Sequence, residues 1–503
     1  MIQVLKEVTI AISEIRGFDS HAWQQLLDEL EPDHRALLDC IVSSEAINEE
    51  IFNVVYGTSQ KVNLLHKLME VLVGENIISL ENRARKDRYN VHVKYLYMNL
   101  LKDSNLSQAA IWFAESNIRE AIRLELTSIV LDSARYLYRR YARRQNKRLS
   151  AKYGTLASQY EQLLHEELAI ERLFQKIAIK QANNKAVRQE LSKMEIPVYN
   201  PVYGNMSYFY LYYHGMLRVF RNEVAGNFAA MLNSCHYYYT ELENKNYDHK
   251  GGKGTFLRAK VSAHLQLRQF LEAKQTIKLL FTKVSRLSNN WLDAQDVQIR
   301  LSIATKDYNS AYIETQKLLK SKKFNSQPQN KKDFFKLYAL YINFLVRTGH
   351  VQNAAPWSKR KTTSYFRSNT VYDGDNRGVR VAIIIAELLY NILDLDYDAI
   401  EGRIHSLKEY CSRYLKKNGE NYRSNCFIKM LLEIPKANFH PEAARRKTAR
   451  YHQKLLNHPL EIAMQPREIE IIPFEQLWHI IIHYLRSPKR KRKNAMELSA
   501  FNL

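Results

Sequence analysis

From Ser107 onward, apolar residues recur at three- and four-residue spacing, segment after segment, with only brief polar breaks. Leu163, Ile170, Leu173, Phe174 and Ile177 show the pattern: one narrow stripe on a helix whose other positions are largely charged or polar. Such a helix needs a neighbour to cover its stripe. Successive helices joined by short turns pack as antiparallel pairs, and pairs in series make a solenoid. Length agrees, because 503 residues exceed what a single core supports. Only 15 Gly and 11 Pro are present, well under half of the usual shares of about 7% and 5% for the residues that punctuate sheets and tight turns. With 46% hydrophobic and 25% charged residues the chain can bury a large core, which argues against global disorder. The expected fold is all-α: a right-handed α-solenoid of antiparallel helix pairs, with helical caps.

Three helix pairs carry a sharper mark. Their turns read RQFLEA, KDYNSA and TGHVQNA, ending at Ala273, Ala311 and Ala354. Each alanine is expected early in the second helix of its pair, three residues after Phe270, Tyr308 or Val351. Helices that cross closely need a side chain no larger than methyl at the crossing and a bulky anchor beside it. In that relation the sequence resembles the tetratricopeptide repeat. The pair from Phe334 to Ala354 matches best, with Tyr338, Tyr341, Leu345, Gly349 and Ala354 at signature positions. Ile342 stands where the family prefers a small residue, and His264 and Ser302 where it prefers a large apolar one. The resemblance covers about Gly204 to Lys359, and the whole arrangement is similar to a broad group of bacterial helical-repeat proteins. It implies a repeat array over 106–435, between an N-terminal helical part at 1–105 and a C-terminal helical cap with a basic tail at 436–503.

The first hundred residues read as three short helical units, DHRALLDCIVSS, INEEIFNVVYG and SQKVNLLHKLMEVLVGENIIS. They serve as a cap over the first apolar face of the array. The same succession resembles a winged helix, which implies Ser59, Gln60, Lys61 and Asn63 at base edges and Arg83, Arg85, Lys86 and Arg88 of a wing on phosphates.

Lys+Arg 75 against Asp+Glu 52 gives a net charge of +23, which favours an acidic partner without naming it. Arg135 to Arg148, RYLYRRYARRQNKR, interleaves arginine with tyrosine, as single-strand binders do. Wound as a helix, it places Val130, Ala134, Leu137, Tyr138 and Tyr141 on one arc, with Arg135, Arg139, Arg140, Arg143 and Lys147 opposite. Only Tyr136 then stands among the arginines. The face is a solvated basic surface or, through Arg139 and Arg143, an anion-binding one whose grip would weaken with salt. KRKRK, Lys489 to Lys493, forms a basic tail.

Tyrosine, with 32 copies, is concentrated in NPVYGNMSYFYLYYHG and CHYYYTEL. A flat apolar ring with a polar tip suits peptide contact, so Tyr208, Tyr210, Tyr213, Tyr237 and Tyr239 are candidate partner-binding residues on a concave surface; the alternative is that they fill helix-pair grooves. KGGKGT, Lys250 to Thr255, lacks the order of a phosphate loop and reads as an inter-helix loop. His479 and His483 lie one turn apart but have no third ligand at a recognisable spacing and no HExxH glutamate, so they read as a structural pair, with no metal site. The four cysteines form no CxxC pair, which fits a reducing interior. No apolar run approaches the ~20 residues of a membrane span; the strongest, from Val381, contains Glu387. The expectation is a cytoplasmic, cofactor-free, non-enzymatic scaffold that binds protein or peptide segments. The alternatives are a DNA-binding regulator with a repeat sensor domain and a non-specific binder of RNA or anionic surfaces.

Overall fold

The helix-period stripes become helices throughout the described chain. The computed structural model describes residues 9, 21–42, 64, 83–103, 107–181, 196, 206–245, 250–286, 288–368, 377–415, 422–458, 460 and 470–487. Among them are twenty α-helices and no strand. They are α1 (His21–Glu29), α2 (Pro32–Val42), α3 (Arg83–Asp103), α4 (Ser107–Arg123), α5 (Thr127–Arg143), α6 (Lys147–Gln181), α7 (Tyr208–Val224), α8 (Phe228–Glu243), α9 (Lys250–Gln266) and α10 (Phe270–Lys283). There follow α11 (Asn289–Ala304), α12 (Tyr308–Lys320), α13 (Lys322–Asn325), α14 (Gln329–Arg347), α15 (Lys359–Ser368), α16 (Arg377–Asp394), α17 (Tyr397–Tyr414), α18 (Tyr422–Lys436), α19 (Pro441–Leu456) and α20 (Phe474–Arg486). The chain forms two compact units, residues 1–166 with 246–248, and residues 167–245 with 249–503.

In the first unit α4 packs against both α3 and α5. Ala110, Ala114 and Ala121 of α4 are fully buried, so that the backbones approach over methyl groups, with Val91, Met98, Val130 and Leu137 filling the groove. Arg83, Arg85, Lys86 and Arg88 sit in the first turns of α3, an uninterrupted helix. These four residues therefore lie on a helix and not on a hairpin. The helical spacing of Val91, Tyr95 and Met98, all packed in this core, prevails over the hairpin reading. Ser59, Gln60, Lys61 and Asn63 lie outside the described residues.

In the second unit helices α7 to α12 pack mainly on their sequence neighbours, α7 on α8, α8 on α9, α9 on α10 and α11 on α12, with α9 also against α11, whereas α14 packs on α12 and α16. Ala273 and Ala311, early in α10 and α12, are fully buried at their crossings as expected.

One turn geometry recurs. Glu125, Gln145, Gly226, Arg268, Lys306 and Leu395 each sit two positions ahead of the next helix with φ between 53° and 68°. The residue after each sends its N–H back to a carbonyl of the closing helix, Leu126 to Ala121, Asn146 to Tyr141, Asn227 to Asn222, Gln269 to His264, Asp307 to Ser302 and Asp396 to Asn391, at 2.8 to 3.0 Å. This left-handed closure satisfies carbonyls that the helix end leaves open. The donor residue then caps the next helix: the side chains of Asn146, Asn227, Asp307 and Asp396 accept from the N–H of Leu149, Ala230, Ser310 and Ala399 at 3.0 to 3.1 Å. Two residues thus end one helix and begin another.

The turn at Gly349 (φ 81°) closes in the same way, His350 N–H to Leu345 O at 2.9 Å, but no helix follows it. Ala354, expected early in a second helix, lies in a non-helical link over 354–358. Asn343 of α14 holds that link, its Oδ1 accepting the Trp357 N–H at 2.7 Å while its amide nitrogen donates to the buried Tyr390 hydroxyl, which in turn donates to Leu340 O at 3.0 Å. The buried amide thus has partners for both its oxygen and its nitrogen, as burial requires.

The far end is fastened by Arg423 at the start of α18. Its Nε donates to Glu470 Oε2 at 3.0 Å, Nη2 to Glu470 Oε1 at 2.9 Å and to Glu475 at 2.8 Å, and Nη1 to the carbonyls of Leu455, at 3.1 Å, and His458. Every donor of the guanidinium is engaged, which a buried cation requires. Burial pushes the Glu470 carboxyl up to about 7, against the pull of Arg423. Helix α20 also reaches back, the Tyr484 hydroxyl donating to Leu393 O at 3.2 Å.

Two stability measurements check this description. A non-glycine residue in the left-handed region costs about 1–2 kcal/mol, and glycine's extra chain entropy returns about half of that. Arg268→Gly is therefore expected to raise the unfolding free energy from urea titration by about 0.5–1 kcal/mol, while Gly226→Ala lowers it by a similar amount. Arg423→Met, which strands Glu470, is expected to cost about 3–5 kcal/mol, and Arg423→Met with Glu470→Leu to recover most of it.

Candidate functional site

The tyrosine-rich helices do not present a concave ring of aromatics. Tyr208 and Tyr210 are buried. The Tyr210 ring stacks on His214 at 5.5 Å, and His214 Nδ1 lies 2.6 Å from the Tyr238 hydroxyl. Tyr213 is half-buried and donates to Glu171 at 3.0 Å; burial pushes its hydroxyl and that of Tyr238 up to about 12. Tyr239 packs on the core of α9, α10 and α11. Only Tyr237 of the five expected contact residues is largely open, 50% exposed. The groove-filling alternative wins because α7 is flanked by α8, α9 and Phe174 of α6.

KGGKGT is a second correction, since it forms the first turns of α9 rather than a loop. Its glycines are packing residues. A Cβ on Gly252 would lie 2.5 Å from the Tyr208 hydroxyl, and one on Gly254 2.7 Å from Val284 Cγ1. Lys253 is buried and paired with Glu243 at 3.0 Å, so its ammonium is not offered to a phosphate there.

On α5 the tyrosines exchange places relative to expectation. Tyr136 is 9% exposed and Tyr138 45% exposed. The early turns of α5 meet α3, where Tyr95 donates to Asp132 at 2.7 Å, whereas its last turns meet α4 and α6, with Tyr141 donating to Glu115 at 2.8 Å and stacked on Tyr153 at 5.8 Å. The covered arc therefore moves around the helix, and a single projection misplaces both rings. Arg139 and Arg143 are exposed as expected. Tyr138, lying over Gly154 of α6, is the exposed ring beside them.

The structure gathers a site that sequence spacing shows only in part. A cavity of about 400 Å³ is lined by Lys306, Tyr308, His350, Arg445, Gln476, His479, Ile480, His483 and Arg486. Lys306 is the left-handed residue ahead of α12, and His350 follows the Gly349 turn. Arg445 comes from α19, and the remaining cationic groups from α20. Tyr308 donates to Gln476 Oε1 at 3.2 Å, and the His350 ring stands edge-on to Tyr308 at 6.0 Å and to His483 at 6.5 Å. Tyr308 and Ile480 are buried, while Lys306, Arg445, His479, His483 and Arg486 open to solvent. His479 and His483 are thus pocket-lining residues, not a buried structural pair. Burial and the neighbouring His483 push the His350 imidazole below its ordinary value, and burial and His479 do the same to His452 on α19. Beside the lining, the Glu442 carboxylate pairs with Arg486, which holds it below the usual range.

This lining suits an anion. It contains three permanent cations and three imidazoles but no carboxylate. Among the described residues no group of His, Cys, Asp and Glu is disposed to hold a metal. The described cysteines Cys235, Cys411 and Cys426 are buried with free thiols, and burial pushes Cys235 up to about 12 and Cys411 to about 11, far from a reactive thiolate. Among the described residues no helix is long and apolar enough to cross a membrane. Part of the pocket was visible in α20, where Gln476, His479, His483 and Arg486 form a polar stripe at spacings of three and four on an apolar helix. Lys306, Tyr308, His350 and Arg445 carry no such signal. Protein-family models, curated proteins and solved structures give no match to this chain.

The packing role of the α9 glycines has a test with an informative sign. Helix propensity alone makes alanine better than glycine by about 1 kcal/mol; overpacking costs about 1–3 kcal/mol. Gly252→Ala and Gly254→Ala are each expected to lower the unfolding midpoint by about 1–2 kcal/mol, the opposite of a flexible loop.

Proposed function

We propose that the chain is a non-enzymatic interaction scaffold, a tetratricopeptide-like solenoid that takes an acidic, amphipathic protein segment on the outward faces of its second helices. The observation that carries this reading is α10. Leu271, 67% exposed, and Leu279 share its outer side with Lys274, Gln275 and Lys278. The second helix after it repeats the theme, with Ile313, 50% exposed, beside Lys317 and Lys320 on α12, and the second helix before it adds the exposed ring of Tyr237 without a lysine. Apolar residues interleaved with lysine match a helix that carries leucine-type anchors flanked by carboxylates. The net charge of +23 favours the same partner. This reading moves the contact surface from the tyrosine ring first expected to side chains that reach solvent, and it keeps Tyr237.

Fluorescence anisotropy on the full chain tests it, with a synthetic acidic amphipathic helix and a scrambled peptide of equal charge as probes. The amphipathic form is expected to bind about tenfold more tightly, and Leu271→Asp with Ile313→Asp to remove that advantage while circular dichroism stays unchanged. Equal binding of both peptides, or binding that ignores the double variant, overturns the docking face.

A further inference from the structure

We propose that the cavity between the Lys306 and Gly349 turns and helices α19 and α20 is a binding site for a soluble small molecule bearing a phosphate group, of about nucleotide size. None of its lining residues belongs to the Leu271–Ile313 face, so the two readings stand or fall separately.

The first argument is charge. Lys306, Arg445 and Arg486 bring three permanent positive charges to one opening from three segments distant in sequence, with His350, His479 and His483 beside them. Like charges repel, and nothing in hairpin packing calls for them to be gathered here. The stripe on α20 could carry glutamate in alternation, as other exposed faces do; Arg403 and Glu387, and Arg413 and Glu409, are paired elsewhere. Glu442 is the counter-charge at the rim, paired with Arg486 while both side chains are about half exposed. An exposed pair of this kind is worth little, so a ligand phosphate exchanges for that carboxylate at small cost. Guanidinium groups recognise phosphate through two parallel N–H donors, whereas a hard cation entering here would find no carboxylate in the lining.

The second argument is shape. About 400 Å³ is the scale of sites that enclose small organic ligands. It exceeds what a bare inorganic anion fills, and the buried Tyr308 ring and Ile480 supply an apolar floor on which a flat organic moiety rests. A nucleic-acid strand calls instead for an open track with stacked aromatics. The pocket also arises where the array is interrupted: the Gly349 turn is followed by no helix, and His350 meets His483 of α20.

Calorimetry on the full chain at about 0.15 M salt, with inorganic pyrophosphate and adenosine monophosphate as probes, decides the matter. One saturable site is expected, with adenosine monophosphate preferred because it alone uses the Tyr308 and Ile480 floor. Arg445→Gln and Arg486→Gln are each expected to weaken binding about tenfold. Glu442→Gln, which frees Arg486 from its partner, is expected to tighten it about threefold, a change that a merely structural role does not produce. All three positions are exposed, and an unchanged urea midpoint confirms folding. No saturable binding of either probe below about 1 mM, or binding that Arg445→Gln and Arg486→Gln leave intact, overturns the proposal. Preference for pyrophosphate would overturn the organic-ligand assignment and leave an inorganic anion site.

Discussion

A helix that ends must satisfy its last carbonyls, and this chain does so repeatedly with the same device: one residue forced into the left-handed region, two positions ahead of the next helix. The geometry fixes where the following helix starts and which way it runs. Where the next residue also caps that helix, as Asn146, Asn227, Asp307 and Asp396 do, direction and start are set together, and the apolar stripe of the helix is delivered to the stripe of the one before it. Burial of alanines such as Ala114, Ala273 and Ala311 at the crossings then follows. The device is applied mostly without glycine, through Glu125, Gln145, Arg268, Lys306 and Leu395, so backbone strain is accepted at each turn and offset by the packing it enables.

The pocket lies beside the Gly349 turn, where that sequence of events stops. Gly349 closes α14 in the ordinary way, but Asn343 captures the Trp357 amide and draws the chain across α14 without forming the helix that should follow. The His350 ring meets α20 there, and α20 is itself anchored by Glu470 and Glu475 on Arg423. Charges from the turns and from the C-terminal helices converge because two separate fastenings, a buried amide and a buried guanidinium, hold those segments in place.

Much of this was legible in the residues themselves. The spacing of Ile170, Phe174 and Ile177, and the alanines at 273 and 311, announced helices and close crossings, because both depend on local periodicity. The errors share a cause. A single helical projection misplaces Tyr136 and Tyr138 because the covering neighbour changes along α5, and KGGKGT reads as a loop because glycine marks turns far more often than it marks a backbone pressed against Tyr208 and Val284. Ala354 fits a repeat signature, yet its fate is decided by Asn343, a residue outside that signature. Arg445 and Lys306 meet α20 through packing between segments far apart in the chain, which no spacing encodes.

The recurring turn also limits how such a chain can change. Adding or removing one residue at such a turn would separate the left-handed closure from the cap that starts the next helix, so turn length is pinned where both are used, as at Gly226, Lys306 and Leu395. Side chains that face outward are under no such constraint.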